Sequence, residues 1–473
     1  MSTQRRGSDI LRGDLLIRGG TVVTGEGSRS VDLVISNERI VAWTAPGEVG
    51  DDEVKRVMDV SGMYVLPGIV DPHVHFNEPG KDEREDFATG SAAAASGGVT
   101  TVVEMPNSIP PCNSAQMLKR RVELADEKMM VDFAFYGAAG WDNLEDIADL
   151  AEGGVIGYKT FLTQPPPERA AEFEGLSAEG PAQIWDVFRA ISETGLVSAV
   201  HAESGRMLRK FQRELQENGR TDFMAFAESR PEIVELEATV SVLELARASG
   251  CRVQLCHVSS PRAVELASLY REEGVPVTVE TCPHYLTFDE EALRELGPQA
   301  KIAPPLRSAA HVQGMWDLLL SGDIDILGSD HAPYLASEKE AGAKDIFRAA
   351  SGVAGIELLL PLMLTHASEG RLSLEDLTIL MAENPARIFG LHPKKGSLNP
   401  GCDADLVVVD MEAEWEVDSQ KLLTRGKAAA RLFDGMRLRG KPVTTIVRGR
   451  PVMEKGEVVG SGEWGQYQRP DLI

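Results

Sequence analysis

Residues 64–76 read YVLPGIVDPHVHF, a nearly unbroken apolar run that ends in two histidines two positions apart. Seven further apolar runs follow it, and amphipathic segments separate them. The runs are GVTTVVEMP (98–106), VDFAFYGAA (131–139), VIGYKTFL (155–162), LVSAVHAE (196–203), RVQLCHVS (252–259), VPVTVETCPHYLTF (275–288) and IDILGSDHAP (324–333). Val, Ile, Leu and Thr without polar alternation are typical of parallel strands buried on both faces. The pattern therefore predicts an α/β protein built on a (β/α)8 TIM barrel.

The two ends of the chain have a different texture from this middle. Short alternating apolar segments, broken by Gly, Asn and Ser, fill residues 1–66 and return in residues 396–473. They predict antiparallel strands that pair into one small β-sandwich-like domain, with residues 67–395 forming the barrel. A doubly wound open sheet is the alternative for the middle, but no GxGxxG fingerprint follows any of the runs.

Composition excludes several classes of protein. The 473 residues carry 48 Lys+Arg against 73 Asp+Glu, a net charge of −25, which argues against a nucleic-acid partner. No apolar run approaches the ~20 residues of a membrane-spanning helix, and MSTQRRGSDILRGD at the start lacks the apolar core of a signal peptide. The five scattered cysteines make a poor disulfide framework. We therefore expect a cytoplasmic protein.

Several of the apolar runs end in a side chain that can bind a metal or a proton. Because the carboxyl ends of barrel strands meet on one face, we expect these side chains to lie together. They are His73, His75, Lys159, His201, His257 and Asp330. In an extended strand residues two apart point to the same side, so His73 and His75 can grip one cation. Only nine histidines exist in the chain, which makes this concentration at strand ends unlike chance.

Lys159 is the exception in this set, because an ammonium group cannot bind a metal. A buried lysine loses its proton readily, and the neutral amine can react with CO2 to give a carbamate. Such a group carries a negative charge and two oxygens that could bridge two divalent ions. The alternative, on spacing alone, is a structural lysine paired with an acid.

In order, the motifs resemble those of the cyclic amidohydrolases, a family that includes allantoinases, hydantoinases or dihydropyrimidinases, and dihydroorotases. They are GIVDPHVHFNEPG, GGVTTVVEMPN, GYKTFL, HAE, CHVSS, ETCPHYLTF, KIAPPLR, GSDHAP and NPGCDADLVVVD. The resemblance implies a binuclear zinc centre with the four histidines as ligands, Lys159 as a bridging N6-carboxylysine and Asp330 as ligand and proton carrier. It also implies a homotetramer and a small cyclic amide as substrate.

The implied chemistry has a physical basis. Metal binding lowers the pKa of water from 15.7 to about 7, so a hydroxide bridging two ions can attack an amide at neutral pH. The metal that holds the substrate carbonyl stabilises the oxyanion. Asp330 would pass the proton to the departing ring nitrogen. Serine-based hydrolysis is disfavoured, since no GxSxG motif occurs.

Three comparisons within the family bear on the substrate. Dihydroorotases usually carry Arg where this chain has Asn77, although Asn107 matches their pattern. Hydantoinases usually place Tyr where Gln164 stands. The second half resembles allantoinases most, through AESRPEIVELEA, GCRVQLCHVSSP and GMWDLLLSGDID. Ala303, where allantoinases often have Ser, and Tyr334 depart from their pattern.

The resemblance therefore favours opening of allantoin to allantoate, a step of purine breakdown. A hydantoinase-like or other cyclic imide hydrolase is the main alternative, and a dihydroorotase is less favoured. We expect substrate contacts from four residues near the strand ends, namely Asn107, Ala303, Arg307 and His331. Residues 334–346 are expected to form either a mobile flap over the site or a solvated loop.

Two other kinds of protein share parts of the family pattern. The metal-free dihydropyrimidinase-related proteins keep this fold as scaffolds but have lost metal ligands, whereas every ligand position is filled here. Mononuclear deaminases of the wider superfamily lack the bridging lysine, which is present here as Lys159. The sequence leaves metal identity open, because imidazole and carboxylate ligands also suit Mn2+, Co2+ and Fe2+.

Overall fold

The computed structural model describes residues 13–471. The strands are β1 (Leu15–Arg18), β2 (Thr21–Thr24), β3 (Gly27–Ser30), β4 (Asp32–Ser36), β5 (Arg39–Thr44), β6 (Val57–Asp59), β7 (Tyr64–Pro67), β8 (Ile69–Val74), β9 (Val99–Glu104), β10 (Asp132–Ala138), β11 (Gly157–Phe161), β12 (Val197–His201), β13 (Arg252–Leu255), β14 (Val277–Thr281), β15 (Ile326–Leu327), β16 (Leu406–Glu416), β17 (Arg437–Val447), β18 (Arg450–Glu454) and β19 (Glu457–Val458).

Helices connect the central strands. They are α1 (Phe87–Ser96), α2 (Ala115–Asp126), α3 (Ile147–Gly153), α4 (Pro181–Ser192), α5 (Gly205–Glu217), α6 (Phe223–Glu228), α7 (Glu232–Ser249), α8 (Pro261–Glu272), α9 (Pro283–Thr287), α10 (Glu290–Leu296), α11 (Ala309–Leu320), α12 (Ala336–Glu340), α13 (Leu359–Ser368), α14 (Leu374–Thr378) and α15 (Asn384–Ile388). Among residues 13–471, none of the helices combines the length and the apolar character needed to cross a membrane.

Strands β8 to β15 form one parallel sheet in chain order, with helices between successive strands. Every residue of β8, β9 and β10 is buried, as expected for strands covered on both faces. The sheet curls until its two edges nearly meet, which confirms the predicted (β/α)8 barrel. Each of the eight apolar runs supplies one barrel strand.

The first and last barrel strands meet at a seam that residues beyond β15 close. The backbone N–H of His75 donates to the carbonyl of His331 at 2.8 Å, and the His331 N–H donates to the carbonyl of His73 at 3.3 Å. His331 also bridges to Val74 on one side and to Val353 on the other. Its backbone thus replaces the hydrogen bonds that the two-residue strand β15 is too short to make.

The two ends of the chain supply the remaining sheets. A seven-stranded sheet has the order β19-β18-β17-β16-β7-β2-β3, and β5-β4-β1-β6 form a four-stranded sheet. Strand β16, from the carboxyl-terminal part, pairs antiparallel with β7, from the amino-terminal part. The predicted association of the β-rich ends is therefore confirmed. The boundaries at residues 66/67 and 395/396 stay a proposal, and residues 1–12 lie outside the described residues.

A buried ion cluster joins the barrel to these terminal sheets. Lys395 Nζ lies 2.7 Å from Asp405 and 2.9 Å from Asp403, and it also pairs with Asp132 at the start of β10. Arg448, just after β17, is the second cation on Asp132. The three carboxylates are close enough to bind an ion, but Lys395 and Arg448 already neutralise most of their charge. We therefore interpret the cluster as a structural ion-pair network.

Candidate metal centre

The six side chains singled out at the strand ends line one cavity of about 1040 Å3 at the carboxyl end of the barrel. His73 lies in β8, Lys159 in β11, and His201 ends β12. His75, His257 and Asp330 lie in the loops that follow β8, β13 and β15. The convergence follows from parallel topology, because equivalent ends of neighbouring strands share one face.

His73, His75 and Asp330 form the first half of the centre. Asp330 Oδ1 lies 3.3 Å from His73 Nε2 and 3.5 Å from His75 Nε2. The two rings have their centroids 5.5 Å apart, so both imidazoles face the same side as the His-x-His spacing predicts. Ligand atoms of all three residues lie within 4.8 Å of one another. Two imidazoles and a carboxylate form a donor set that suits divalent transition metals.

His201 and His257 form the second half. The Nδ1 of His201 lies 3.1 Å from the Nε2 of His257, and the His257 ring is 5.2 Å from that of His73. His257 Nδ1 is buried without a hydrogen-bond partner in the described chain. The ring of Phe161 stacks on His201 at 5.3 Å and fixes its plane.

Lys159 lies among these groups and is fully buried. Its Nζ has no hydrogen-bond partner within residues 13–471. The alternative of a structural lysine paired with an acid is therefore not what the structure shows. A buried, unpaired ammonium is costly. Conversion to a carbamate would replace this positive charge with a negative one, which could bind metal ions held by the four imidazoles.

Two buried carboxylates contact the histidines from behind. Glu203 accepts from His201 Nε2 at 2.8 Å and also pairs with Arg230, while Glu280 lies 2.7 Å from His73 Nδ1. Glu203 directly follows the run LVSAVHA, two residues after His201. Glu280 was missed, although a carboxylate within the apolar run VPVTVETC is a readable signal.

Burial and neighbouring charges shift the pKa values of the centre in opposite directions. Burial lowers the pKa of His75 to about 4 and also lowers the pKa values of His201 and His257. Burial opposes protonation of His73 as well, but the charges of Glu280 and Asp330 outweigh it and raise the pKa of His73 to about 10. His75, His201 and His257 are therefore neutral at pH 7, the form in which histidine binds a metal.

Three of the eight non-glycine residues with a positive φ among residues 13–471 lie in loops that carry candidate ligands. His257 and Asp330 have φ angles of 38° and 45°, and Asn77 has a φ of 62°. Residues other than glycine rarely adopt this left-handed backbone conformation, which costs of order 1–3 kcal/mol per residue. Such strain persists where the surrounding structure imposes it, and it clusters at functional sites.

The four predicted substrate contacts divide into two pairs. Asn107 and Ala303 line the cavity. Arg307 and His331 are not among its lining residues, and both have other partners. Arg307 binds Glu235 and Ser259 at 2.7 and 2.8 Å, while the backbone of His331 closes the barrel seam. Their contact with substrate stays a prediction, and the structure shows which protein groups they already bind.

Arg84 lines the cavity and links three segments of the chain around it. Arg84 donates to Glu172 at 2.9 Å and to Glu338 at 2.5 and 2.9 Å. Its guanidinium carbon lies 4.9 Å from the ring centre of Tyr334. Glu172 and Glu338 come from the loops after β11 and β15, so Arg84 links three segments around the opening. Residues 334–346 include helix α12 and are tied to this link through Glu338.

The sequence of this chain is similar to those of known hydrolases. Residues 64–452 match the model of the amidohydrolase family. The chain is 36% identical to an L-hydantoinase of Paenarthrobacter aurescens over 456 residues, which is 96% of this chain and 97% of the relative. It is 38% identical to an allantoinase of Deinococcus radiodurans over 464 residues, 97% of this chain and 99% of the relative.

Solved structures give the same result. The L-hydantoinase (dihydropyrimidinase) from Arthrobacter aurescens superposes with a TM-score of 0.92 at 35% identity, covering 97% of this chain and all of that chain. A D-hydantoinase structure superposes with a TM-score of 0.89 at 28% identity, covering 97% and 99% of the two chains. The chain belongs to the amidohydrolase family, as a cyclic amidohydrolase of the allantoinase and hydantoinase type.

Proposed function

We propose that this chain opens a cyclic ureide by hydrolysis at a pair of divalent metal ions, with allantoin as the substrate and allantoate as the product. The observation that carries the proposal is Lys159. It lines the same cavity as four histidines and Asp330, and its buried Nζ has no hydrogen-bond partner within residues 13–471. The ring of Phe161, 5.1 Å from Nζ, is the contact that the structure gives this cation. A carbamate on the nitrogen would supply a negative charge and two oxygens that can hold metal ions.

The proposed metal ligands are the residues that converge in the cavity, namely His73, His75, Lys159 as its carbamate, His201, His257 and Asp330. Zinc suits this set of imidazole and carboxylate ligands. Bound ions of this kind lower the pKa of water and polarise a carbonyl oxygen.

Asp330 is the proposed proton carrier. Its carboxylate lines the cavity and faces His73 and His75. Burial opposes ionisation, but the neighbouring histidines outweigh it and lower the pKa of Asp330. The carboxylate is therefore ionised, so a lone pair is open to a proton from the attacking water, and Asp330 would return that proton to the departing ring nitrogen. A nitrogen leaves poorly as an anion, so this protonation opens the ring.

Asn107 supports a ureide as the substrate. Its side chain is 96% buried at the cavity wall, because only 4% of the residue is exposed. Neither Oδ1 nor Nδ2 has a hydrogen-bond partner in the described chain. A cyclic ureide presents a carbonyl beside an N–H, which would satisfy both atoms. Ala303 is proposed to contribute through its backbone.

Hydantoin hydrolysis is the second candidate, and the similarity to the L-hydantoinase favours it. Dihydroorotate is less suited. Its carboxylate needs a free cation, whereas Asn77 donates its side-chain amide to the carbonyl of His75 at 2.8 Å. A homotetramer stays a proposal from the family resemblance, and a cytoplasmic location stays a proposal from the scattered cysteines.

A substrate panel tests the function. Metal-loaded enzyme is expected to open allantoin faster than hydantoin, dihydrouracil or dihydroorotate at pH ~7–8, the range in which a metal-activated water is available. Ring opening is followed by liquid chromatography of the acids formed. Chelator-stripped enzyme should be inactive and should recover with zinc. Fast turnover of hydantoin alone would move the assignment to the second candidate, and no turnover of any member would contradict the reaction class.

Replacing Arg84 with lysine tests the link across the cavity mouth. A single ammonium group lacks the planar fork that reaches Glu172 and Glu338 together. Losing one charge-assisted hydrogen bond destabilises the linked arrangement of the three segments by roughly 1.5–3 kcal/mol. Because substrate binding must then restore that arrangement, KM is expected to rise about tenfold or more. Steady-state kinetics with metal analysis measures this effect. An unchanged KM would show that the link does not shape the substrate site.

A further inference from the structure

Glu280 lies at the centre of a buried hydrogen-bond network behind the metal centre. One oxygen, Oε1, faces His73 Nδ1 at 2.7 Å and accepts from the backbone N–H of His257 at 3.1 Å. The other oxygen accepts from Gln254 Nε2 at 2.6 Å. The side chain is completely shielded from solvent. A single carboxylate on β14 therefore contacts two of the segments that carry proposed ligands.

In the neutral ring that metal binding requires, the contact of Glu280 with His73 determines which ring nitrogen carries the hydrogen. A carboxylate can only accept, so His73 Nδ1 must be the donor in this pair. In the neutral ring this leaves the lone pair on Nε2, the nitrogen that faces Asp330 at 3.3 Å. Carboxylate partners of this kind fix the orientation of a ligating histidine and raise its basicity.

The contact with His257 acts on the backbone instead of the ring. His257 adopts a φ of 38°, in the left-handed region. Its N–H is anchored by Glu280 at the residue where this strain occurs. The hydrogen bond therefore helps to hold the strained turn that directs the His257 ring towards His201.

The surrounding chain leaves space for this arrangement. A methyl group added at Gly328 would lie 3.2 Å from Glu280 Cδ and 3.3 Å from His73 Cβ. Such contacts are tighter than ordinary packing, so glycine at this position lets the carboxylate and the imidazole approach each other.

We propose that Glu280 is a positioning residue that sets the affinity of the centre for its metal ions, by orienting His73 through Nδ1 and holding the backbone of His257. The inference rests on the proposed function, because it requires that the cavity binds metal. Glu280 itself does not touch substrate, since it is not among the residues lining the cavity.

Glu280→Gln is the sharpest variant, because the network can accommodate it. Gln254 Oε1 has no hydrogen-bond partner in the described chain. If Gln254 flips its amide, Oε1 can accept from the new amide group, while the remaining oxygen still accepts from His73. The variant then keeps the volume and the hydrogen bonds but removes the charge that makes His73 a better ligand.

Glu235→Gln is the matched control. Glu235 is also a buried carboxylate, but it binds Ser259 and Arg307 and no proposed ligand. We expect Glu280→Gln to lower the affinity for Zn2+ at least tenfold, within the ~10–100-fold range of such partners. Glu235→Gln should lower the melting temperature and leave the metal affinity unchanged. Affinity is measured by equilibrating stripped protein with chelator-buffered Zn2+ and determining bound zinc by emission spectroscopy.

The outcomes separate this inference from the function on which it rests. Wild-type protein that binds no zinc would overturn the metal centre and this role together. Wild-type protein that binds zinc, with the same affinity in Glu280→Gln, would overturn the role of Glu280 alone. An equal loss of affinity in both variants would also overturn it, because the effect would then be one of general stability.

Discussion

Replacing Lys159 with alanine is expected to abolish ring opening almost completely. The alanine variant has no amine to carboxylate, so the cavity loses the negatively charged group proposed to hold two ions together. Metal catalysis contributes several kcal/mol of transition-state stabilisation. Since about 1.4 kcal/mol corresponds to a factor of ten, kcat/KM should fall by about 10³-fold or more. Metal analysis should show fewer than two ions per chain.

Lys339→Met provides the control for a buried lysine outside the cavity. Lys339 is fully buried, and its Nζ donates to the backbone carbonyls of Lys301 and Ala350 at 3.2 and 3.3 Å. Folded Lys339→Met protein should retain its metal content. Intact-protein mass spectrometry under native conditions should reveal one added CO2 in wild-type protein and none in Lys159→Ala. Full activity with both metals in Lys159→Ala would disprove the binuclear centre.

Replacing Lys395 with alanine is expected to destabilise the fold by about 3–5 kcal/mol, the usual cost of removing one member of a buried ion pair. The loss leaves Asp132, Asp403 and Asp405 with Arg448 as their remaining buried cation. Three buried carboxylates within reach of one another repel strongly when they are not neutralised. Urea denaturation of the metal-loaded protein measures the change in the free energy of unfolding.

The neighbouring Lys394 gives a matched comparison. Its side chain is 40% exposed and lies 4.0 Å from Asp403, so Lys394→Ala should cost less than about 1 kcal/mol. Equal effects of the two substitutions would contradict the interpretation of the cluster as a junction between the barrel and the terminal sheets.

The barrel was predictable because its strands are buried on both faces and therefore read as apolar runs. The limits of that signal are visible at two strands. The run YVLPGIVDPHVHF looks continuous but divides at Gly68 into β7, in the terminal sheet, and β8, in the barrel. The run IDILGSDHAP contains a strand of only two residues, since the backbone of His331 closes the seam instead.

That the six side chains lie together was predictable from their positions at strand ends, whereas the hydrogen-bond partners of the other polar side chains were not. Arg307 ends the motif KIAPPLR and was expected to contact substrate, but its guanidinium binds Glu235 on helix α7. That contact spans distant parts of the chain and leaves no local pattern. Glu280 was overlooked because it lies inside an apolar strand and not at its end, although a charge buried there must have a partner.

The barrel seam has a consequence for the protein without its ions. His73 and His75 lie on one side of this junction and Asp330 on the other, so ions bound by all three would cross-link the two edges of the sheet. Chelation should then loosen this junction before the rest of the fold. Hydrogen exchange would report it as faster exchange at the amides of His75 and His331, with the amides of β10 to β12 unaffected. Binding of the metal ions and closure of the barrel seam would thus be thermodynamically coupled.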